Sequence, residues 1–264
     1  MISLDHDLHI HTRLSPCCTD ENQTPPQILS ICRTLGLRKI GFANHAWLNC
    51  RPAPADWAPN ETGFAALAQE IAAETPPPVI LCGCEADTLG PGRFSISRPF
   101  AASLDYVILA ANHFHFRDLV DQPPVITPAG IGDHLVRMFL TAVRSGLADI
   151  IPHVFMPMGY WEFYESGVAA IRDELFLEVF EEAAAAGVAI EVTAVYLPPP
   201  PGGTRRTWNI ATPLRVLTLA KQAGCKFTLG TDSHSLSTLP HLQRLEPLVR
   251  QLALEPEDLH PIAR

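Results

Sequence analysis

The residues of this chain best suited to chemistry are histidines and carboxylates placed where short β-type runs end. His9 and His11 close the first such run. His45 follows the second, Glu85 ends the third, and His113 follows the fourth. His153 follows the fifth, and Asp232 and His234 follow the seventh. Imidazole and carboxylate together suit Zn, Mn or Fe, whereas an all-oxygen set suits Mg or Ca. Two histidines two residues apart at a strand end point to the same side and chelate one ion. A carboxylate such as Glu85 can bridge two ions. Any one of these side chains alone is more often an ordinary polar residue than a ligand. Agreement among so many strand-end positions is what implies a shared centre.

Such residues meet only if the elements between them bring the strand ends together. The chain repeats one pattern: a β-type run, a loop, then a helix. The runs are Ser3–His9, Lys39–Ala43, Val79–Glu85, Asp105–Ala111, Asp149–Pro152, Val188–Thr193 and Lys226–Gly230. Thr24 followed by two prolines starts a helix that stops at Leu35 before Gly36. Further helices are expected at about 60–74, 132–145, 168–186, 213–223 and 239–252, with a loop or small hairpin over 88–102. Parallel strands need crossover connections, so this alternation predicts an α/β fold with a mainly parallel sheet. The nearly unbroken apolar run Tyr106–Ala111 suits a strand buried on both faces. In a parallel barrel all the named strand ends lie at one mouth, where barrel enzymes place catalytic groups.

Composition narrows the function classes. With 264 residues the chain is close to the usual size of a βα barrel, and it reads as a single domain over 1–264. A formal net charge of −9 argues against nucleic acid as the main partner. No basic region followed by an apolar run opens the chain, and no apolar stretch approaches the length of a membrane span. The seven cysteines are odd in number and scattered, as expected of free thiols in a reducing compartment. A cytoplasmic, soluble protein is the expectation.

Four motifs carry a resemblance. Asp-Leu-His-Ile-His-Thr at 7–12, Asn-His at 44–45, Gly-Cys-Glu-Ala-Asp at 83–87 and Gly-Thr-Asp-Ser-His at 230–234 resemble the motifs of the PHP family, named for DNA polymerase and histidinol phosphatase. The resemblance spans residues 4 to about 236. It implies a distorted (β/α)7 TIM-like barrel with a trinuclear site. It also implies that His9, His11, Glu85 and Asp232 hold one ion, and Glu85, His113 and His153 a second. His45 and His234 then help to hold a third. Histidinol-phosphatase-type members have a histidine where this chain has Cys17. A Cys17 thiolate favouring zinc, an oxygen from Asp20, or a weak or empty third site all follow from that departure. His113 is preferred over His115 because it follows the strand directly.

Two or three divalent ions (Zn, Mn or Fe) in such a site would make a hydroxide from bound water and neutralise phosphoryl charge. The expected activity is hydrolysis of a small phosphomonoester of the histidinol phosphate kind. A metal-bound water, Asp232 or His234 is expected to protonate the leaving group, and Arg205 and Arg206 to clamp the phosphate. Trp47, Trp57, Tyr160 and Trp161 could line the pocket, and Glu191 is expected to be a buried, hydrogen-bonded residue. His134, His241 and His260 are expected on the surface. A phosphodiesterase, a C–N hydrolase of the amidohydrolase kind, or a non-enzymatic metal-binding module are the competing readings.

Overall fold

The computed structural model describes residues 1–50, 61–199 and 207–264. Among them, seven parallel strands form a nearly closed barrel of TIM type, distorted at its seam. In chain order the elements are β1 (His6–Ile10), α1 (Pro25–Thr34), β2 (Lys39–Ala46), α2 (Glu61–Ala72), β3 (Val79–Gly90), β4 (Arg93–Phe94), α3 (Arg98–Ala101), β5 (Tyr106–Ala110), α4 (Pro128–Val143), β6 (Ile150–Ile151), α5 (Tyr164–Ala170), α6 (Asp173–Ala185), β7 (Ala189–Thr193), α7 (Ala211–Gln222), β8 (Phe227–Gly230) and α8 (Glu246–Gln251). The strands lie in the order β1-β2-β3-β5-β6-β7-β8, and the short β4 turns back antiparallel on β3.

Local chemistry accounts for most boundaries. Thr24 is extended at φ −101° and ψ 153°, Pro25 opens α1, and Gly36 follows it at φ +72°. The Thr127 hydroxyl accepts the Gly130 N–H at 3.2 Å and so starts α4 four residues earlier than periodicity alone suggests. The expected helix over 168–186 is instead two helices. The chain turns extended at Ile171, and Arg215 from α7 donates to the freed carbonyls of Val168 and Ile171. The expected helix over 239–252 is a 3₁₀ stretch, Leu236–Leu245, that leads into the short α8. Pro240 and Pro247 lack the N–H groups a longer α-helix needs.

The barrel interior is shaped around one tyrosine. Tyr106 on β5 reaches across β3 and β2 and donates from its hydroxyl to the Leu8 carbonyl on β1 at 2.7 Å. Gly83 and Gly41 make that path. A Cβ at either would stand under 2.5 Å from the Tyr106 side chain. At the seam between β1 and β8, side chains supplement the ladder. Asp7 accepts the Thr231 N–H and hydroxyl at 3.0 and 2.7 Å, and His6 Nε2 accepts the Leu229 N–H at 3.0 Å. His6 therefore belongs to the barrel wall. Just beyond, Ile10 and Ser233 form a parallel bridge that brings the first and last strand-end motifs together.

All seven cysteines are free thiols, five of them buried. No helix among the described residues is long and apolar enough to cross a membrane.

Candidate metal centre

The parallel strands bring histidines and carboxylates from six strands and the loops after them to one rim. Glu85 is the hub. It does not end its strand, as the sequence suggests, but sits inside β3, which continues to Gly90; His45 likewise lies within β2, in register with Glu85. The Glu85 carboxylate is buried, and its two oxygens face different imidazoles. Oε2 lies 3.0 Å from Nδ1 of His45 and 3.5 Å from Nε2 of both His9 and His11. Oε1 lies 3.2 Å from Nε2 of His153 and 3.6 Å from Nε2 of His113. Asp232 stands opposite, with Oδ1 3.2 Å from Nε2 of His11 and 3.5 Å from Nε2 of His9.

The outer edge of each ring decides what its inner edge can do. Nδ1 of His9 donates to Glu191 at 2.7 Å, that of His113 to Asp87 at 2.6 Å, and that of His153 to the Asn112 side-chain oxygen at 3.1 Å. Nδ1 of His234 donates to the Asp232 carbonyl at 2.9 Å. His11 is fixed through Ser15, whose hydroxyl donates to Asn44 at 3.0 Å and accepts the His45 N–H at 3.0 Å. That leaves the hydroxyl oxygen to accept from His11 Nδ1 at 3.0 Å. In the neutral form, with Nδ1 carrying the proton, Nε2 of each of these five rings would present a lone pair to a bound cation. A histidine ligand shows this arrangement, its second nitrogen tied to a carboxylate, carbonyl or hydroxyl. Nε2 of His9 and of His11 are buried and make no hydrogen bond at all. Such orphaned acceptors are costly unless a cation or donor faces them.

Three sets of donors follow from the geometry: His9, His11 and Glu85; Glu85, His113 and His153; and His11, Cys17, His45 and His234. Within each set the ligand atoms lie within 4.8 Å of one another. His115, two residues past His113, lies outside these sets, its ring 4.0 Å from that of Phe116. Burial, with the neighbouring charge of His113, pushes His115 down to about 3. Glu191 is buried and braces the site, accepting from His9 and from the His153 backbone N–H.

Electrostatics at the rim are those of a site built for positive charge. Burial raises the Glu85 carboxyl, but His45, His9 and His113 outweigh it and hold the group well below the usual range. Burial likewise opposes the charged form of His113, yet Asp87 and Glu85 lift it to about 9. Asp232 is held low by His9 and His234 in spite of its burial. The backbone adds a further mark: His153, Phe155 and Asp232 adopt left-handed conformations at φ +33°, +59° and +53°. Non-glycine residues there cost on the order of 1–3 kcal/mol each and cluster at functional sites.

The remaining sequence expectations sort as follows. His134 is not on the surface; it is 1% exposed on α4. Trp47 and Tyr160 are buried in packing contacts, Trp47 edge-on to Phe116 and Tyr160 hydrogen-bonded to Gln122 and Arg117. Trp161 stacks on Trp208. Arg205, Arg206 and Trp57 lie outside the described residues. The braces Asp87, Asn112 and Ser15 were given no role from sequence. Asp87 had a readable signal, since it is two residues from Glu85 on the same face of a strand.

No family model matches the chain, and no curated protein does. Among solved structures, it is similar to a histidinol phosphate phosphatase from Lactococcus lactis subsp. lactis Il1403, complexed with zinc, L-histidinol and phosphate. The TM-score is 0.65 at 18% identity, over 95% of this chain and 94% of that one. A 2,3-dimethylmalate lyase matches at a TM-score of 0.33 and 13% identity, over 97% of this chain and 84% of that one, too distant to carry weight. The first likeness fixes the fold: a distorted TIM-like barrel.

Proposed function

We propose that this chain is a metal-dependent phosphatase of the PHP kind that hydrolyses a small phosphomonoester. The observation that carries this reading is the ring of imidazoles around Glu85, in which His9, His11, His113 and His153 each have Nδ1 bonded outward. His9, His11, Glu85 and Asp232 would hold one divalent ion, and Glu85, His113 and His153 a second. The donor set is nitrogen and carboxylate, which fits Zn, Mn or Fe. Divalent ions there supply Lewis acidity, both to acidify water and to neutralise charge on phosphoryl oxygens.

The chain's own residues do the rest. Glu191, Asp87 and Asn112 fix ring orientation and tautomer, so no rotation is needed before reaction. Asp232 and His234 are the less buried donors, their side chains 17% and 33% exposed. His234, the more exposed of the two, is the group placed to deliver a proton to the leaving alkoxide. Arg205 and Arg206, which lie outside the described residues, are the proposed phosphate clamp, because guanidinium groups bind phosphate bidentately. The Lactococcus protein has the same barrel and was solved with L-histidinol and phosphate, which makes histidinol phosphate the first substrate to try.

The test is phosphate release by the full chain, loaded with Zn or Mn and its metal content measured. Turnover of histidinol phosphate or another small monoester is the expected result. A loaded chain inert toward a broad monoester panel overturns the reading. Cleavage of phosphodiesters or C–N bonds by that same chain would identify it as a different hydrolase. Metal content below one ion per chain would point to a non-enzymatic module.

A further inference from the structure

Cys17 has no place in the pair of ions just described, yet it is built into the rim. It sits in the loop after β1, within hydrogen-bonding reach of the His45 and His234 rings. The loop is pinned. Cys18 N–H donates to the Ser15 carbonyl at 2.9 Å, Ser15 N–H to the Thr12 carbonyl at 2.9 Å, and the Ser15 hydroxyl joins Asn44 to His11. Sγ of Cys17 and one nitrogen each from His11, His45 and His234 lie within 4.8 Å of one another. His11 is fully buried, and its Nε2 makes no hydrogen bond. The competing oxygen is committed elsewhere: Asp20 accepts the Asn22 N–H at 2.9 Å and the Leu236 N–H at 3.3 Å.

We propose that Cys17 binds a third divalent ion as a thiolate, together with His45 and His234, in a sulfur–nitrogen site chemically unlike the nitrogen–oxygen pair around Glu85. This rests on the metal-dependent reading and refines it. Ligation exchanges the S–H bond for a sulfur–metal bond and releases the proton to solvent. Imidazoles are neutral donors, so the thiolate supplies the one negative charge in this set. It also makes the site soft. Zinc, cobalt or ferrous iron fit it, whereas manganese prefers oxygen. Manganese is then expected to fill only the pair, and zinc all three positions. Binding there commits His234 to the ion and leaves proton delivery to water, since Asp232 is an ionised ligand of the pair.

The test uses cobalt(II) as probe on the metal-free full chain, with bound metal counted by elemental analysis. A near-ultraviolet sulfur-to-cobalt charge-transfer band should accompany one of three bound equivalents. Cys17→Ser should lose that band, and Cys17→His should keep three equivalents without it. Manganese loading of the wild type should stop at two. A fully loaded wild type without the band overturns the proposal. So does a band that survives in Cys17→Ser, which would assign the ligand to another thiol such as Cys18. Two equivalents without the band overturn the third site but leave the pair standing, and a chain that binds no cobalt overturns both.

Discussion

Nδ1 of His9 lies 2.7 Å from Oε1 of Glu191, whose other oxygen accepts the backbone N–H of His153. One buried carboxylate on β7 thus steadies a donor in each of the two sets that share Glu85. Glu191→Gln keeps the size and removes the charge that fixes the His9 tautomer. Loss of such an outer partner typically costs about 10–100-fold in metal affinity. Competition against a chromogenic chelator measures it, and unchanged affinity would reduce Glu191 to a packing residue.

Gly230, at the end of β8, leaves room for that contact. An added Cβ would stand 2.1 Å from Oε1 of Glu191 and 2.7 Å from Cβ of His9. Gly230→Ala must push His9 and Glu191 apart, at a cost of about 1–3 kcal/mol for overpacking. The expected outcome is a lower urea midpoint together with loss of metal from the His9 set. A variant with wild-type metal content would show that the strand yields instead.

Metal binding should stabilise the fold strongly, because the centre joins β1, β2, β3 and the loops after β5, β6 and β8. At free metal about 100-fold above Kd, linkage contributes about 2.7 kcal/mol. Chelation should lower Tm by several degrees, and zinc should restore it in a concentration-dependent way. A melting temperature indifferent to chelator would mean that the imidazoles do not bind ions.

His134 supplies a pH dependence away from the centre. Its Nε2 donates to the Asp121 carbonyl at 2.8 Å, and Nδ1 accepts from Arg137 at 2.6 Å, so the ring is neutral. Burial, reinforced by Arg137, pushes it down to about 4. An unfolded chain takes up that proton near pH 6.5 and the folded one does not. Stability from this residue is therefore complete above about pH 6.5 and is lost as pH falls toward 4, on the order of 2 kcal/mol after solvent screening. His134→Gln should flatten the pH dependence of urea unfolding over that range. An unchanged slope would place the acid sensitivity elsewhere.

What could be read without coordinates was what short range dictates. The strands were legible because runs such as Tyr106–Ala110 are apolar on both faces. The candidate donors His9, His11, His153 and Asp232 could be picked out because they sit at or just beyond strand ends. Read from sequence, the third strand ends at Glu85, five residues short of Gly90, since nothing local marks a strand that runs on past the rim. The break at Ile171 depends on Arg215, 44 residues away in the chain, taking two carbonyls. Ser15 as a hub, and the burial of His134 against Asp121, are likewise tertiary hydrogen bonds with no sequence periodicity.

The left-handed backbone at His153 and Asp232 has a kinetic corollary. Folding of the barrel has to meet the cost of that backbone, and the bonds of His153 to Asn112 and Glu191 help to hold it there. If these residues bind ions as proposed, the strain falls on folding and not on ion capture, and metal-free and metal-loaded chains should share one backbone trace at this rim. Association would be governed by ion desolvation rather than by loop closure.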